Sequence, residues 1–249
     1  DSDYDFPKKS DVIIKNHGGV TPKNSAKKII EYYQNFKVNV ADRNRSKHWK
    51  DYYLKDRAPT FPSNFAEYVL QKINKNQNML EIGCGNGRDA VFFKKNGLKV
   101  DAIDRSDDAI VLCKTKYKDL NIGFYHGEID QIIEIDNNFK YDNIYCRFVL
   151  HAMPIEEEII LIQNSFELLK KKGMLFIECR SINDQMIREG EVISPTERIS
   201  GHYRRFIIME ELGDRLKNAG FEVLSLFEKE NAAKFGNDNP VVIRAIVRK

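Results

Sequence analysis

Short apolar runs recur along the chain at residues 79–82, 99–103, 122–125, 141–146, 173–179, 221–227 and 241–247. Four of the intervening stretches, 88–96, 106–117, 155–171 and 208–219, place apolar residues at helical spacing. Continuous apolar runs of strand length are buried on both faces. Their alternation with amphipathic helices predicts an α/β fold, a Rossmann-like doubly wound and mostly parallel seven-stranded sheet. The last two runs are separated only by residues 230–240, which carry no helical pattern. A hairpin is expected there, giving one antiparallel edge strand. Gly173 and Gly220 follow helical patterns and read as C-terminal caps.

The first third of the chain is organised differently. Residues 1–20 are polar and read as an extended arm. Ile29, Ile30, Tyr33 and Phe36 predict an amphipathic helix from Lys23, and Trp49, Tyr52, Tyr53 and Leu54 a second, short one. Residues 57–62 break it, and Ser63 is placed to cap a helix carrying Phe65, Val69, Leu70 and Ile73. The expected division is an arm and helical segment over 1–61 and the main domain over 62–249. Within the latter, residues 180–206 are polar, rich in Arg and Glu, and interrupted by Pro195 and Gly201. This insertion follows the fifth strand, at the carboxyl edge of the sheet where doubly wound folds bind ligands.

Forty basic against 37 acidic residues leave a net charge of +3. That balance gives no argument for nucleic acid or a membrane surface as partner, so any anion site is local. The beginning of the chain lacks the apolar core of a signal peptide, and no run approaches the ~20 apolar residues of a membrane span. Cys84, Cys113, Cys146 and Cys179 match no zinc or disulfide spacing and read as thiols of a reducing, cytoplasmic compartment. The five histidines share no ligand spacing, so no metal is expected.

The chemistry concentrates after the first apolar run. Glu81-Ile82-Gly83-Cys84-Gly85-Asn86-Gly87 leads into a helical pattern, and Asp104 ends the second run nineteen residues after Gly85. Closely spaced glycines let the backbone approach a ligand, and a carboxylate on the next strand suits vicinal ribose hydroxyls. A dinucleotide fingerprint places its third small residue further along, where this chain has Arg88.

This ordered set resembles the class I S-adenosylmethionine-dependent methyltransferases. Tyr141-Asp142-Asn143-Ile144-Tyr145 and the Leu-Leu-Lys-Lys-Lys-Gly-Met-Leu stretch before the fifth strand continue the resemblance, which spans about residues 62–249. It implies that S-adenosylmethionine is the cofactor. Gly83 and Gly85 would approach its methionine portion and ribose, Glu81 its ammonium end, and Asp104 the ribose hydroxyls. Arg105 and Ser106 would lie beside the adenosine, Glu128 and Ile129 near the adenine, and Arg147 along the donor pocket or acceptor entrance. Related enzymes fold N-terminal helices over the donor as a lid, which brings in Tyr53 and Arg57.

Three clusters are candidates for the acceptor pocket. His151, in Arg147-Phe148-Val149-Leu150-His151, is a candidate general base because imidazole titrates near neutrality. Glu178-Cys179-Arg180-Ser181 precedes Asp184, and Gly201-His202-Tyr203-Arg204-Arg205-Phe206 closes the insertion. Arg147 and Tyr203 join His151 as catalytic candidates, and Arg180, His202, Tyr203, Arg204 and Arg205 form the candidate substrate set. Guanidinium forks suit phosphate and carboxylate, so a small anionic substrate is expected. With Asp238-Asn239-Pro240-Val241-Val242-Ile243-Arg244, these stretches are similar to methyltransferases of bacterial surface-polysaccharide synthesis. That implies a phosphorylated or nucleotide-linked capsule precursor, a sugar or a phosphoramidate, as acceptor. The competing readings are a nucleic-acid methyltransferase and a non-catalytic S-adenosylmethionine-binding protein; the chain lacks a long basic tract or an Asn/Asp-Pro-Pro-Tyr-like base pocket.

Overall fold

The computed structural model describes residues 21–29, 59–128 and 140–249. The chain divides into two units, Asp1–Arg43 and Asn44–Lys249. In the first, residues 22–29 are helical (α1), and Thr21 starts that helix by accepting the Asn24 N–H at its carbonyl, 3.0 Å away. Trp49, Tyr52, Tyr53, Arg57 and Ile129 lie outside the described residues.

The second unit is built on a sheet whose strands are β1 (Asn78–Ile82), β2 (Lys99–Asp104), β3 (Gly123–His126), β4 (Tyr141–Arg147), β5 (Leu169–Arg180), β9 (Glu222–Lys229) and β10 (Val242–Arg248). Their order is β3-β2-β1-β4-β5-β10-β9. The pairings from β3 to β5 are parallel, whereas β10 is antiparallel to both β5 and β9. The reversed strand expected at this edge is therefore β10, which fits between β5 and β9. It is the return limb of the hairpin that residues 230–240 allow.

Helices cover both faces. On one, α2 (Asn64–Leu70), α3 (Arg88–Lys95) and α4 (Asp107–Lys116) bury Phe65, Phe93 and Ile110 against Met79, Tyr145 and Phe176. On the other, α5 (Ile155–Leu168) and α6 (Met209–Asn218) bury Leu161, Ile162, Leu212 and Leu216 against Ile144, Ile177 and Ala245. The two-residue period of each strand assigns these faces: Tyr145 points to one side and its neighbours Ile144 and Cys146 to the other. Ser63 caps α2 as expected, accepting the Ala66 N–H at 3.0 Å. After α6, the Gly220 N–H bonds to the Lys217 carbonyl and the Phe221 N–H to that of Leu216, the double closure of a Schellman cap.

Gly173 does something else. Helix α5 stops at Leu168, and Leu169 is already extended and paired with Tyr141. Lys172, not Gly173, takes the left-handed conformation, with φ of 66°. The Lys172 N–H and the Gly173 carbonyl bond to Lys249, so β5 begins early against the end of β10. The lysine run is the solvent-facing start of a strand, not the last turn of a helix.

The polar segment after β5 is also ordered. β6 (Glu191–Ser194), β7 (Glu197–Ser200) and β8 (His202–Arg205) form a separate three-stranded antiparallel sheet. Arg198 pins its first turn by donating to the Ser194 and Ile187 carbonyls, at 2.6 Å each. All four cysteines are buried free thiols. Among the described residues no helix is long and apolar enough to cross a membrane.

Candidate active site

The glycine loop leaves β1 and is tied at once to β2: the Ile103 carbonyl accepts the N–H groups of Gly83 and Cys84, at 2.8 and 3.1 Å. Gly83 has φ of +71°, and a Cβ there would stand 2.3 Å from Val149 Cγ2. Gly85 also has positive φ, +54°. These are positions where a side chain would strain the turn.

Asp104 closes the other side. Its Oδ2 accepts the Gly85 N–H and its Oδ1 the Ser106 N–H, each at 2.8 Å. Burial raises the Asp104 pKa, and these two amides oppose that shift. Each carboxylate oxygen has two acceptor sites, so two amides still leave one per oxygen for a pair of vicinal hydroxyls. Ser106 then caps α4 through the Ala109 N–H. Beyond Asp104, Arg105 spans Glu128 at 2.5 Å and Glu157 at 3.1 Å on the surface.

Glu81 is only 4% exposed, and its Oε2 is buried without a hydrogen-bond partner among the described residues. Burial, with nearby Asp89 next, holds its carboxyl well above the usual range. Residues 59–63 cross the loop: Asn86 donates to the Pro59 carbonyl at 2.9 Å and Arg88 to that of Phe61 at 3.3 Å. Ser63 is locked to Asp89 by its N–H and hydroxyl, both at 2.7 Å, and Tyr145 adds a third bond to Asp89 at 2.9 Å. Sequence reasoning found Ser63 as a cap but not this network, since its members lie on three elements.

A second group gathers where β4 and β5 end. Glu178 stands opposite Arg147 on β4 and Arg244 on β10, and pairs with both, at 2.9 and 2.7 Å. Arg180 pairs with Asp184 at 2.8 Å and also with Asp238. Phe148, with φ of 59°, puts its ring 4.2 Å from the Arg147 guanidinium, 5.6 Å from that of Arg180 and 5.1 Å from the His151 ring. Thus residues 147–151, 178–184 and 238–244, far apart in the chain, interlock. Asp184, Asp238 and the double role of Glu178 become visible only with the strand register.

The stretch 201–206 does not act as one cluster. Residues 202–205 are a strand, so alternate side chains part. Tyr203 donates to Glu197 at 2.7 Å, and burial raises its pKa. Arg205 donates to the Met153 carbonyl at 3.1 Å and to Glu158, which also holds Arg215 at 2.7 Å. His202 and Arg204 share the opposite face of β8. Arg204 is partly buried and makes no ion pair or side-chain hydrogen bond among the described residues. Burial and the neighbouring Arg180 lower its pKa. His151 is 4% exposed, and its Nδ1 accepts the Arg180 backbone N–H at 3.3 Å. Burial and Arg180 hold its pKa well below the ordinary value. Among the described residues no group of three His, Cys, Asp or Glu side chains is arranged to hold a metal.

Comparison with known proteins identifies the family and the fold. The sequence profile described as "Methyltransferase domain" matches residues 53–226. A ubiquinone biosynthesis O-methyltransferase of Rickettsia bellii is 23% identical over 172 residues, covering 64% of this chain and 70% of that protein. A Methanosarcina mazei S-adenosylmethionine-dependent methyltransferase superposes with a TM-score of 0.62 at 19% identity, over 73% of this chain and 96% of that one. The magnesium protoporphyrin IX methyltransferase of Synechocystis, with S-adenosylmethionine bound, gives 0.53 at 17% identity, over 74% and 76%. With its glycine turn, the acid on β2 and the antiparallel β10, the chain belongs to the methyltransferase-domain family and is an S-adenosylmethionine-dependent methyltransferase.

Proposed function

We propose that the enzyme methylates a small anionic acceptor, a phosphorylated or nucleotide-linked precursor of capsule polysaccharide carrying a sugar or phosphoramidate group. The observation that carries this reading is Arg204. A partly buried guanidinium beside Arg180, in no ion pair among the described residues although the Asp238, Asp184 and Glu189 carboxylates act on it from further off, is stabilised when an anion binds. The polysaccharide part rests on the sequence resemblance of residues 141–249, whose stretches meet at this place.

On the donor side, the residues present fit S-adenosylmethionine. The glycine turn admits its methionine portion and ribose, Asp104 offers acceptors for the ribose hydroxyls, and Glu81 Oε2, without a hydrogen-bond partner among the described residues, suits the ammonium. Arg105 and Glu128 flank the adenosine, and Tyr53, Arg57 and Ile129 belong to the same proposed shell. The bound donor supplies an electrophilic methyl carbon on a sulfonium. The chain then has to align the acceptor and exclude water. His151, Arg204, Arg180 and His202 form the proposed acceptor face, with Arg147, Tyr203 and Arg205 positioning it.

A methyl-transfer screen over nucleotide sugars, sugar phosphates, nucleoside-diphosphate phosphoramidates, phenols and RNA tests the reading. Turnover is expected on a phosphorylated compound, and Arg204→Gln should raise its KM about tenfold or more, the scale of one charge-assisted bond. Turnover confined to phenols or RNA would overturn the acceptor assignment.

Glu81 gives an independent check. Its raised pKa means that a bound ammonium draws it into the ionised form, so donor binding releases a proton. Affinity therefore increases as pH rises from the ordinary carboxylate range to the raised value, then levels. Calorimetry of S-adenosylhomocysteine binding in two buffers of different ionisation heat will detect that proton, and Glu81→Gln should abolish it. Proton release that persists in the variant would assign it to another group.

A further inference from the structure

We infer that His151 is a fixed hydrogen-bond donor toward the acceptor, not its base, and that with Arg204 it selects acceptors whose attacking oxygen is already ionised. This deepens the proposed acceptor site and rests on it.

The argument begins with a backbone group. The β4–β5 ladder runs to Arg147 opposite Glu178, and the Phe148 N–H takes the Glu178 carbonyl at 2.8 Å. At Phe148 the chain turns away with positive φ into the short helical turn Leu150–Ala152. The next amide of β5, that of Arg180, is left without a strand partner on this side. A buried N–H must be satisfied, and His151 Nδ1 does so at 3.3 Å. His151 thus replaces the next rung of the sheet.

That bond fixes the tautomer. A neutral imidazole has one acceptor and one donor nitrogen. With Nδ1 accepting an amide hydrogen, the ring proton is on Nε2. A base must offer a lone pair to the acceptor, and the only one here faces the Arg180 amide. Protonating Nδ1 would set two N–H groups against each other in a buried site. The surroundings act in the same direction: Arg147 from β4, Arg180 from β5, and His202 and Arg204 from β8 all disfavour an imidazolium. Nε2–H makes no hydrogen bond among the described residues and is the group left for a ligand.

One donor and one guanidinium match an oxyanion. A phenol or sugar hydroxyl would need its proton removed, whereas an ionised oxygen would not. The acceptor oxygen's lone pair forms the new bond to the methyl carbon as the carbon–sulfur bond breaks, leaving its electron pair on sulfur. The oxyanion loses one negative charge, the sulfonium its positive charge, and no proton is released. Phosphoryl and carboxylate oxygens both meet this description.

The test uses the full chain, labelled with 15N-histidine and saturated with S-adenosylhomocysteine. Long-range proton–nitrogen spectra from pH 5.5 to 8.5 should show His151 neutral and Nε2-protonated throughout. Inorganic phosphate or acetate should shift its Nε2 resonance in a saturable way, and whichever binds identifies phosphoryl or carboxylate chemistry. Arg204→Gln should weaken that binding about tenfold. An Nδ1–H tautomer, protonation near neutrality, or no response to either anion overturns the inference. With an acceptor from the screen, kcat/KM should be independent of any group titrating between pH 6 and 8 that belongs to His151. His151→Ala should lower kcat/KM about 30-fold, the scale of one charge-assisted bond, and His151→Gln should recover most of it. A loss above 100-fold in both variants, with the profile following an imidazole, identifies a base. If nothing in the screen turns over, the acceptor reading fails, while the tautomer and anion measurements still decide the role of His151.

Discussion

Asp104→Ala is expected to weaken S-adenosylmethionine binding about 1,000-fold while leaving the protein folded. Two hydroxyl bonds to a carboxylate are lost, each of the charge-assisted kind that contributes roughly 1.5–3 kcal/mol. A second effect adds to this. Asp104 accepts the Gly85 and Ser106 amides, so its removal frees the glycine turn and the first residue before α4. The loop then has to be ordered when the ligand arrives. Asp104→Asn separates the two contributions. Its carbonyl oxygen keeps one amide bond and one hydroxyl bond, and its amide cannot accept at all, so an intermediate loss near tenfold is expected. Calorimetric titration with S-adenosylhomocysteine, alongside thermal unfolding of the free protein, supplies both readouts. Equal affinity in wild type and Asp104→Ala would place the ribose elsewhere.

What the chain discloses by itself depends on whether a signal is local. The strands with continuous apolar runs were legible, because burial on both faces requires such runs whatever their neighbours. Ser63 and the glycine turn were legible for the same reason: a cap and a left-handed turn are set by adjacent residues. The lysines at 170–172 misled because a solvent-facing strand start and a helix end share the same composition. β6, β7 and β8 were hidden because each is only four residues long and the buried positions of β7 and β8 include the polar Glu197, His202 and Arg205, so no apolar face can be counted. The acceptor region shows the limit most clearly. Read as a loop, residues 202–205 form one basic cluster. Read as a strand, they separate, with Tyr203 and Arg205 held by Glu197 and Glu158, and Arg204 on the other face beside Arg180. The pairing of Glu178 with Arg147 and Arg244 depends on the register of three strands, which no local pattern encodes.

Glu158→Ala is expected to lower the unfolding temperature by about 10 °C. Glu158 is completely buried on α5 and receives Arg205 from β8 and Arg215 from α6. Removing it leaves the buried Arg205 guanidinium without its counter-charge, while Arg215 keeps only the more exposed Glu211, 3.3 Å away, and breaking a buried pair costs about 3–5 kcal/mol. For a chain of this size each kcal/mol moves the midpoint by roughly 2–4 °C. The mechanism is the stranded charge and not the lost contact, so Glu158→Met combined with Arg205→Met should recover a large part of the loss; no recovery would mean that packing of the carboxylate stem is the cause. The same variant reports on the acceptor face. Arg205 also donates to the Leu150 and Met153 carbonyls, which bracket the turn carrying His151. Freed from Glu158, it holds that turn and β8 less firmly, while the glycine loop and Asp104 lie on other elements. Glu158→Ala, assayed below its midpoint, should therefore raise KM for the acceptor about tenfold and leave S-adenosylhomocysteine affinity within about twofold, since Glu158 makes no ion pair with the glycine loop or Asp104 among the described residues.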